Sequence, residues 1–185
     1  MERPAKILQA VILVGGTGSR LGALTKATPK PLLTVAGRPF LDYLLWNLWR
    51  HGIGDAVLLA GYQAKHIEDF SARCDYPGMN VSCITEPALA GTGGALRHAA
   101  SRLGDNFLLM NGDSLFDINL LDLIDAEKGL GSRLGRLALR HLDNASRSGT
   151  VGLSGEHITH FAARPDQHGP GLINGGIYWL SRDIL

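Results

Sequence analysis

Apolar and polar positions along this chain follow two alternating rhythms. Residues 7–14 form a β-rich run closed by Gly15 and Gly16, which predicts a buried strand. Residues 39–51 place Phe40, Leu41, Leu44, Leu45 and Leu48 at helical spacing, with Gly52 as the stop. Short strands follow at 56–60, 81–85 and 107–110, interleaved with helices at 64–73, 92–103 and 120–128. Beyond residue 128 the segments read as strands: 134–142, 150–153, 157–162 and 173–180.

Strand–helix alternation over the first two thirds predicts right-handed βαβ units. The expected fold class is α/β: a Rossmann-like, mainly parallel sheet flanked by helices, with extra C-terminal strands around a substrate pocket. No repeat, low-complexity tract or linker interrupts the chain. A domain takes roughly 100–200 residues, so residues 1–185 are expected to form one domain. In such sheets ligands bind at the carboxyl ends of the strands, where the glycines cluster here.

Composition narrows the function. Apolar residues make up 45%, enough for a buried core, and 18 basic against 17 acidic side chains leave a charge of +1. That balance gives no reason to expect nucleic acid or an anionic membrane as a partner. Cys74 and Cys83 fit neither a disulfide framework nor zinc-ligand spacing. No run approaches the ~18 residues of a membrane span, and the N-terminus lacks signal-peptide features. The expectation is a soluble, cytoplasmic protein. Glycine stands out: 24 of 185 residues is nearly twice the usual ~7%, and the excess sits at particular turns.

The strongest motif is VGGTGSRLGALTKATPKPL, directly after the first strand. Gly15, Gly16, Gly18 and Gly22 let the backbone of this loop pass close to a ligand. With Thr17 and Ser19, the loop aims its N–H groups inward, which suits a polyphosphate. The G-x-G-x-x-G fingerprint would need glycine where Leu21 stands, and the Gly-Lys-Ser/Thr of a P-loop never occurs. The loop instead carries Arg20, a planar five-donor fork, and then Lys30, a compact charge between Pro29 and Pro31. A second glycine segment, EPALAGTGGAL, leads into a helix. There Gly91, Gly93 and Gly94 can offer backbone groups to a base edge, unless Thr92 merely caps the helix. In NFLLMNGDSL, Asp113 stands at the tip of an apolar strand, well placed to hold Mg²⁺ against nucleotide phosphates. His157 and His160 would point to opposite faces of a strand, so a metal site there is not expected.

GGTGSRL followed by TPKPL resembles the N-terminal signature of the sugar-1-phosphate nucleotidyltransferases, with Ala23 where the family usually has proline. The resemblance implies an NTP and a sugar 1-phosphate as substrates, an NDP-sugar and pyrophosphate as products, and Mg²⁺ as cofactor. It assigns Arg20, Lys30 and Asp113 to catalysis, and Gly15, Gly16, Thr17, Gly18, Ser19, Glu86, Gly91 and Thr92 to the nucleotide. SGTVG and LINGGIYWL imply that Gly149, Asn174 and Gly175 line the sugar-phosphate pocket, where glycines leave room for a pyranose ring. Two departures matter. The family's Glu-Lys-Pro reads Ala163-Arg164-Pro165, keeping a positive charge at Arg164 but losing the carboxylate. The family's second metal-binding Asp has no counterpart before Leu185, so the domain is expected to lack its C-terminal end.

GTGGA, NGDSLFDINL, SGTVG and LINGGIYWLSRDIL are most similar to the D-glycero-D-manno-heptose 1-phosphate guanylyltransferases. Mannose-1-phosphate guanylyltransferases come next, then uridylyl and thymidylyl transferases. Glu86 suits guanine, whose N1–H and N2–H₂ both donate. A different class stays open, a non-catalytic nucleotide-sugar-binding regulatory subunit, and so does a homo-oligomer.

Overall fold

The β-rich run ahead of Gly15 becomes strand β1 (Gln9–Leu13), and its position explains its apolar character. In the computed structural model, β1 pairs in parallel with β4 (Asp55–Ala60) on one side and with β6 (Asn106–Asn111) on the other. Between β1 and β4 come a small hairpin, β2 (Thr34–Val35) and β3 (Arg38–Pro39), and helices α1 (Leu24–Ala27) and α2 (Phe40–Arg50). Between β4 and β6 lie α3 (Ala64–Ser71), β5 (Asn80–Thr85) and α4 (Gly91–His98). After α5 (Leu120–Ile124) come β7 (Gly135–Leu142), β8 (Thr150–Ser154), β9 (His157–Ala162) and β10 (Gly171–Ser181). The structure describes residues 8–87, 90–124, 130–163 and 169–185, with the Arg20 side chain outside that description.

The main sheet runs β5-β4-β1-β6-β10-β8-β9, with β7 paired to β10. Its first four strands are parallel, and β10 runs antiparallel to β6. The parallel strands are covered on both faces. Ala10, Ile12 and Val14 pack with Leu41, Leu44, Leu45 and Leu48 of α2, whereas Val11, Val57 and Leu109 pack with Ala95 and Leu96 of α4. Successive side chains point to opposite faces of a strand, so burial on both sides demands an unbroken apolar run.

The predicted elements form with small shifts at their ends. Helix α2 stops where expected: Gly52 adopts φ +74° and the Ile53 N–H reaches back to the Leu48 carbonyl at 3.2 Å, closing the helix end. The helix expected at 92–103 ends at His98, and a separate 3-10 turn covers Ala100–Arg102. The helix expected at 120–128 is described to Ile124, the rest lying outside the described residues.

Chain order places the site. From β1 the chain moves outward through β4 and β5, then returns to lay β6 against the other edge of β1. That reversal of strand order opens a crevice at the carboxyl ends of β1 and β6. Leu13 pairs with Asn111 there, and the Gly112 N–H donates to the Leu13 carbonyl at 3.0 Å.

Candidate active site

The glycine loop leaves β1 at this crevice and folds back on itself. Gly18 adopts φ +62°, and a Cβ there would stand 2.9 Å from Thr25 Cγ2 and 3.2 Å from Lys30 Cβ. Only glycine lets the loop close down this tightly. The buried Thr25 hydroxyl lies 3.3 Å from both the Gly18 and the Gly22 carbonyl oxygens and ties the turn together. The Arg20 backbone forms part of a 3-10 turn, Ser19–Leu21.

A cleft of about 740 Å³ opens under the loop, within the size range of small-molecule sites. Gly15, Gly16, Thr17, Gly18 and Ser19 form one wall. Glu86, Gly91 and Thr92 face it from the ends of β5 and α4, and Lys30 and Asp113 close the mouth. Every expected nucleotide residue thus lines one space.

Within it the charges are arranged unevenly. Lys30 Nζ donates to Asp113 Oδ2 at 2.7 Å, so the two groups expected on phosphate and metal satisfy each other. Glu86 has the opposite character: it lines the cleft, and its Oε2 is buried with no hydrogen-bond partner among the described residues. A buried acceptor without a donor is costly, and a carboxylate at a cleft with an unpaired oxygen is a place for a ligand N–H. Thr92 is not the cap of α4. Ala90 holds the cap position, with no side-chain hydrogen bond, and the first amides of α4 lie at the cleft. Unpaired N–H groups at a helix start suit an anion or a polar base edge.

The expected sugar residues Asn174 and Gly175 are absent from this lining and sit at a break in β10. Pairing with β7 shifts register between Asn174 and Tyr178, where Gly176 adopts φ +78°. Asn174 Oδ1 accepts from the Gly176 N–H at 2.7 Å, and its Nδ2 donates to the Tyr178 hydroxyl. Asn174 is exposed, and two residues on, a Cβ on Gly176 would stand 2.9 Å from Nδ2 of Asn111, which lines the cleft. At Gly175 a Cβ would fall 2.4 Å from Phe116 Cδ1 and 2.9 Å from the Ala138 carbonyl oxygen, so on that side glycine serves close packing of the protein. At Gly149 a Cβ would meet the Ala162 carbonyl oxygen at 3.0 Å. Arg164 lies outside the described residues.

Asn111 is a cleft residue that sequence reasoning passed over, although it stands two positions before Asp113 in the same motif. Tyr178 was also passed over, because its link to Asn174 depends on the strand break. Asp113 is suited to a divalent cation. Its carboxylate is 45% exposed at the strand tip and already holds a cationic group, the Lys30 ammonium, on Oδ2. Mg²⁺ is usually held by one or two carboxylates plus substrate phosphates, so a single protein carboxylate facing a phosphate loop fits it. His157 and His160 are exposed on β9, and no group of three or more His, Cys, Asp or Glu that could hold a metal occurs among the described residues. No helix among the described residues is long and apolar enough to cross a membrane.

A phosphate-type glycine loop at the switch point of a parallel sheet, with a Lys–Asp pair at its mouth, defines an α/β nucleotide-handling protein. The model of the nucleotidyl transferase family matches residues 9–185, and the chain belongs to that family. It is 33% identical over 179 residues to the D-glycero-alpha-D-manno-heptose 1-phosphate guanylyltransferase of Aneurinibacillus thermoaerophilus, covering 96% of this chain and 76% of that protein. It is 31% identical over 180 residues to the mannose-1-phosphate guanylyltransferase of Mycobacterium tuberculosis, covering 96% of this chain and 50% of that one. Among solved structures, HddC from Yersinia pseudotuberculosis complexed with GMP-PN superposes with a TM-score of 0.83 at 28% identity, covering 96% of this chain and 78% of that one.

Proposed function

We propose that this protein is a Mg²⁺-dependent guanylyltransferase acting on a sugar 1-phosphate, most specifically D-glycero-D-manno-heptose 1-phosphate. It would supply a GDP-sugar for polysaccharide synthesis in the cytoplasm. The observation that supports the guanine reading is the Glu86 carboxylate, which lines the cleft and has one oxygen unpaired among the described residues. Guanine alone among the common bases offers adjacent N1–H and N2–H₂ donors to one carboxylate; uracil cannot. The names of the two guanylyltransferase relatives support the same base, and the heptose follows the first of them.

The reaction needs no protein nucleophile. An oxygen of the sugar phosphate attacks the α-phosphorus in line, forming the new P–O bond as the bond to pyrophosphate breaks. The obstacle is electrostatic, because two unit charges 4 Å apart repel by about 4 kcal/mol at an effective dielectric of ~20. Lys30, which pairs with Asp113 at 2.7 Å, is assigned to the α-phosphate and the incoming sugar phosphate. Arg20 is assigned to the departing pyrophosphate, and the glycine loop donates its amides to the triphosphate. Mg²⁺ held by Asp113 would supply further neutralisation of the phosphate charge. Asn174, with its amide orientation held by Gly176 and Tyr178, serves sugar hydroxyls.

Pyrophosphate release measured with four NTPs crossed with heptose, mannose and glucose 1-phosphates, with and without Mg²⁺, tests this reading. GTP with the heptose 1-phosphate is expected to turn over fastest. Equal use of UTP and GTP would overturn the guanine assignment. No turnover in any combination would favour a non-catalytic nucleotide-sugar-binding module.

A further inference from the structure

Two non-glycine residues among those described have positive φ, Ala36 at 47° and Gln63 at 52°. Ala36 sits in the tight β2–β3 turn beside Gly37, and the turn accounts for it. Gln63 is the third residue of a turn that the Ala64 N–H closes on the Gly61 carbonyl at 3.2 Å, a position whose positive φ suits glycine. It follows β4 and holds the cap position of α3, where a short polar side chain usually bonds the first helical amides. Its side chain makes no such bond. Instead Nε2 donates to the Lys26 carbonyl oxygen at 2.6 Å, on the exit side of the glycine loop. On the entry side, the Tyr62 N–H donates to the Gly15 carbonyl at 3.1 Å. Adjacent residues at the tip of β4 therefore grip both ends of the loop.

This grip carries two costs. A left-handed backbone is unfavourable for a residue with a Cβ, and Gln63 Oε1 is buried without a hydrogen-bond partner. Glycine at this position would avoid both. Backbone strain of this kind persists where the surroundings impose it, and it concentrates around functional loops. Here the turn sets the backbone, and the glutamine side chain it carries in place of glycine reaches the loop that carries Arg20. We propose that Gln63 is a positioning residue, a brace that holds the glycine loop in the conformation that receives the nucleotide phosphates. The proposal rests on the reading of that loop as the phosphate site.

Gln63→Gly separates bracing from folding, because glycine accepts the left-handed backbone while losing the side chain. The expected result is unchanged or raised thermal stability, with faster amide exchange over residues 15–28. KM for GTP should rise about fivefold, the worth of one such hydrogen bond, with KM for the sugar 1-phosphate unmoved. Gln63→Glu keeps the length but sets a carboxylate against the Lys26 carbonyl, and should shift KM for GTP in the same direction. Wild-type loop exchange and GTP KM in the glycine variant would overturn the brace, as would an equal rise in both KM values. The underlying reading fails separately. If GTP with Mg²⁺ leaves loop exchange in the wild-type chain unchanged, the loop is not the phosphate site, whatever the variants do.

Discussion

Lys30 Nζ and Asp113 Oδ2, from residues 83 positions apart in the chain, meet at 2.7 Å across the mouth of the cleft. Both side chains are about a third or more exposed, and ion pairs of that kind contribute roughly 0–1 kcal/mol to stability. The pair is therefore of little use as a fastener. It keeps two opposite charges side by side where phosphate and cation are expected to separate them.

Replacing Lys30 should accordingly injure turnover without injuring the fold. Lys30→Ala is expected to shift the melting temperature by no more than about 2–4 °C while lowering turnover ~100-fold or more. Arg20→Ala should lower it similarly. Asp113→Asn should remove the response to added Mg²⁺, and chelation with EDTA should silence the wild-type enzyme. Near-normal pyrophosphate release by either cation variant would refute its role.

Glu86 sets a second expectation. Glu86→Gln replaces an acceptor oxygen by a donor facing guanine N1–H. We expect kcat/KM for GTP to fall roughly 10- to 100-fold, the range for a charge-assisted hydrogen bond. Values for UTP should stay where they are. Parallel losses for both nucleotides would mean that Glu86 serves the loop rather than the base.

The glycines divide by what surrounds them. A Cβ at Gly112 would lie 2.5 Å from the Leu13 carbonyl oxygen and 2.7 Å from Val14 Cγ1, between two strands that have no room to part. A Cβ at Gly16 meets nothing within 4 Å. Gly112→Ala should cost about 1–3 kcal/mol and lower the melting temperature by roughly 3–10 °C. Gly16→Ala should melt with the wild type. Thermal scans of the two variants side by side decide it.

Tyr178→Phe removes the acceptor for Asn174 Nδ2 and leaves the amide held only by the Gly176 N–H. KM for the sugar 1-phosphate should rise about three- to tenfold, and KM for GTP should not move. If initial-rate kinetics show the reverse split, Asn174 faces the nucleotide instead.

The two thiols give a pH dependence. Burial pushes Cys74 and Cys83 up to about 11 from an ordinary value of 9.0, and burial together with the Asp42 hydrogen bond raises the Tyr76 phenol well above its usual range. All three bind protons more tightly folded than unfolded. The thiols' contribution is thus complete below pH 9 and is lost as pH rises towards 11. Denaturant midpoints should fall over that window, and thiol-reactive dyes should label the native protein slowly at neutral pH. Rapid labelling of both cysteines at pH 7 would show the thiols to be more open than this.

Much of this was legible in the residues themselves. An apolar run closed by Gly15 and Gly16 is a buried strand for a local reason, and α2 ends at Gly52 because glycine accepts a left-handed stop. Lys30, Asp113 and the glycine loop were recognisable because their chemistry is carried by residue type and near neighbours. Element ends were less legible: α4 gives way to a 3-10 turn after His98, where the sequence carries no glycine or proline to mark a stop.

By itself the sequence determined the α/β class, the order of strands and helices, and the inventory of groups able to handle phosphate. These follow from hydrophobic period and turn chemistry, which act over a few residues. Only the tertiary structure decided that Lys30 and Asp113 touch, that Glu86 lines the cleft with one carboxylate oxygen buried and unpaired among the described residues, and that Phe116 fills the space beside Gly175. It alone decided that Gln63, in the turn after β4, grips Lys26 of α1. These relationships depend on which strand lies beside which and on how closely their ends approach. That is settled by packing across the whole sheet, which no local pattern encodes.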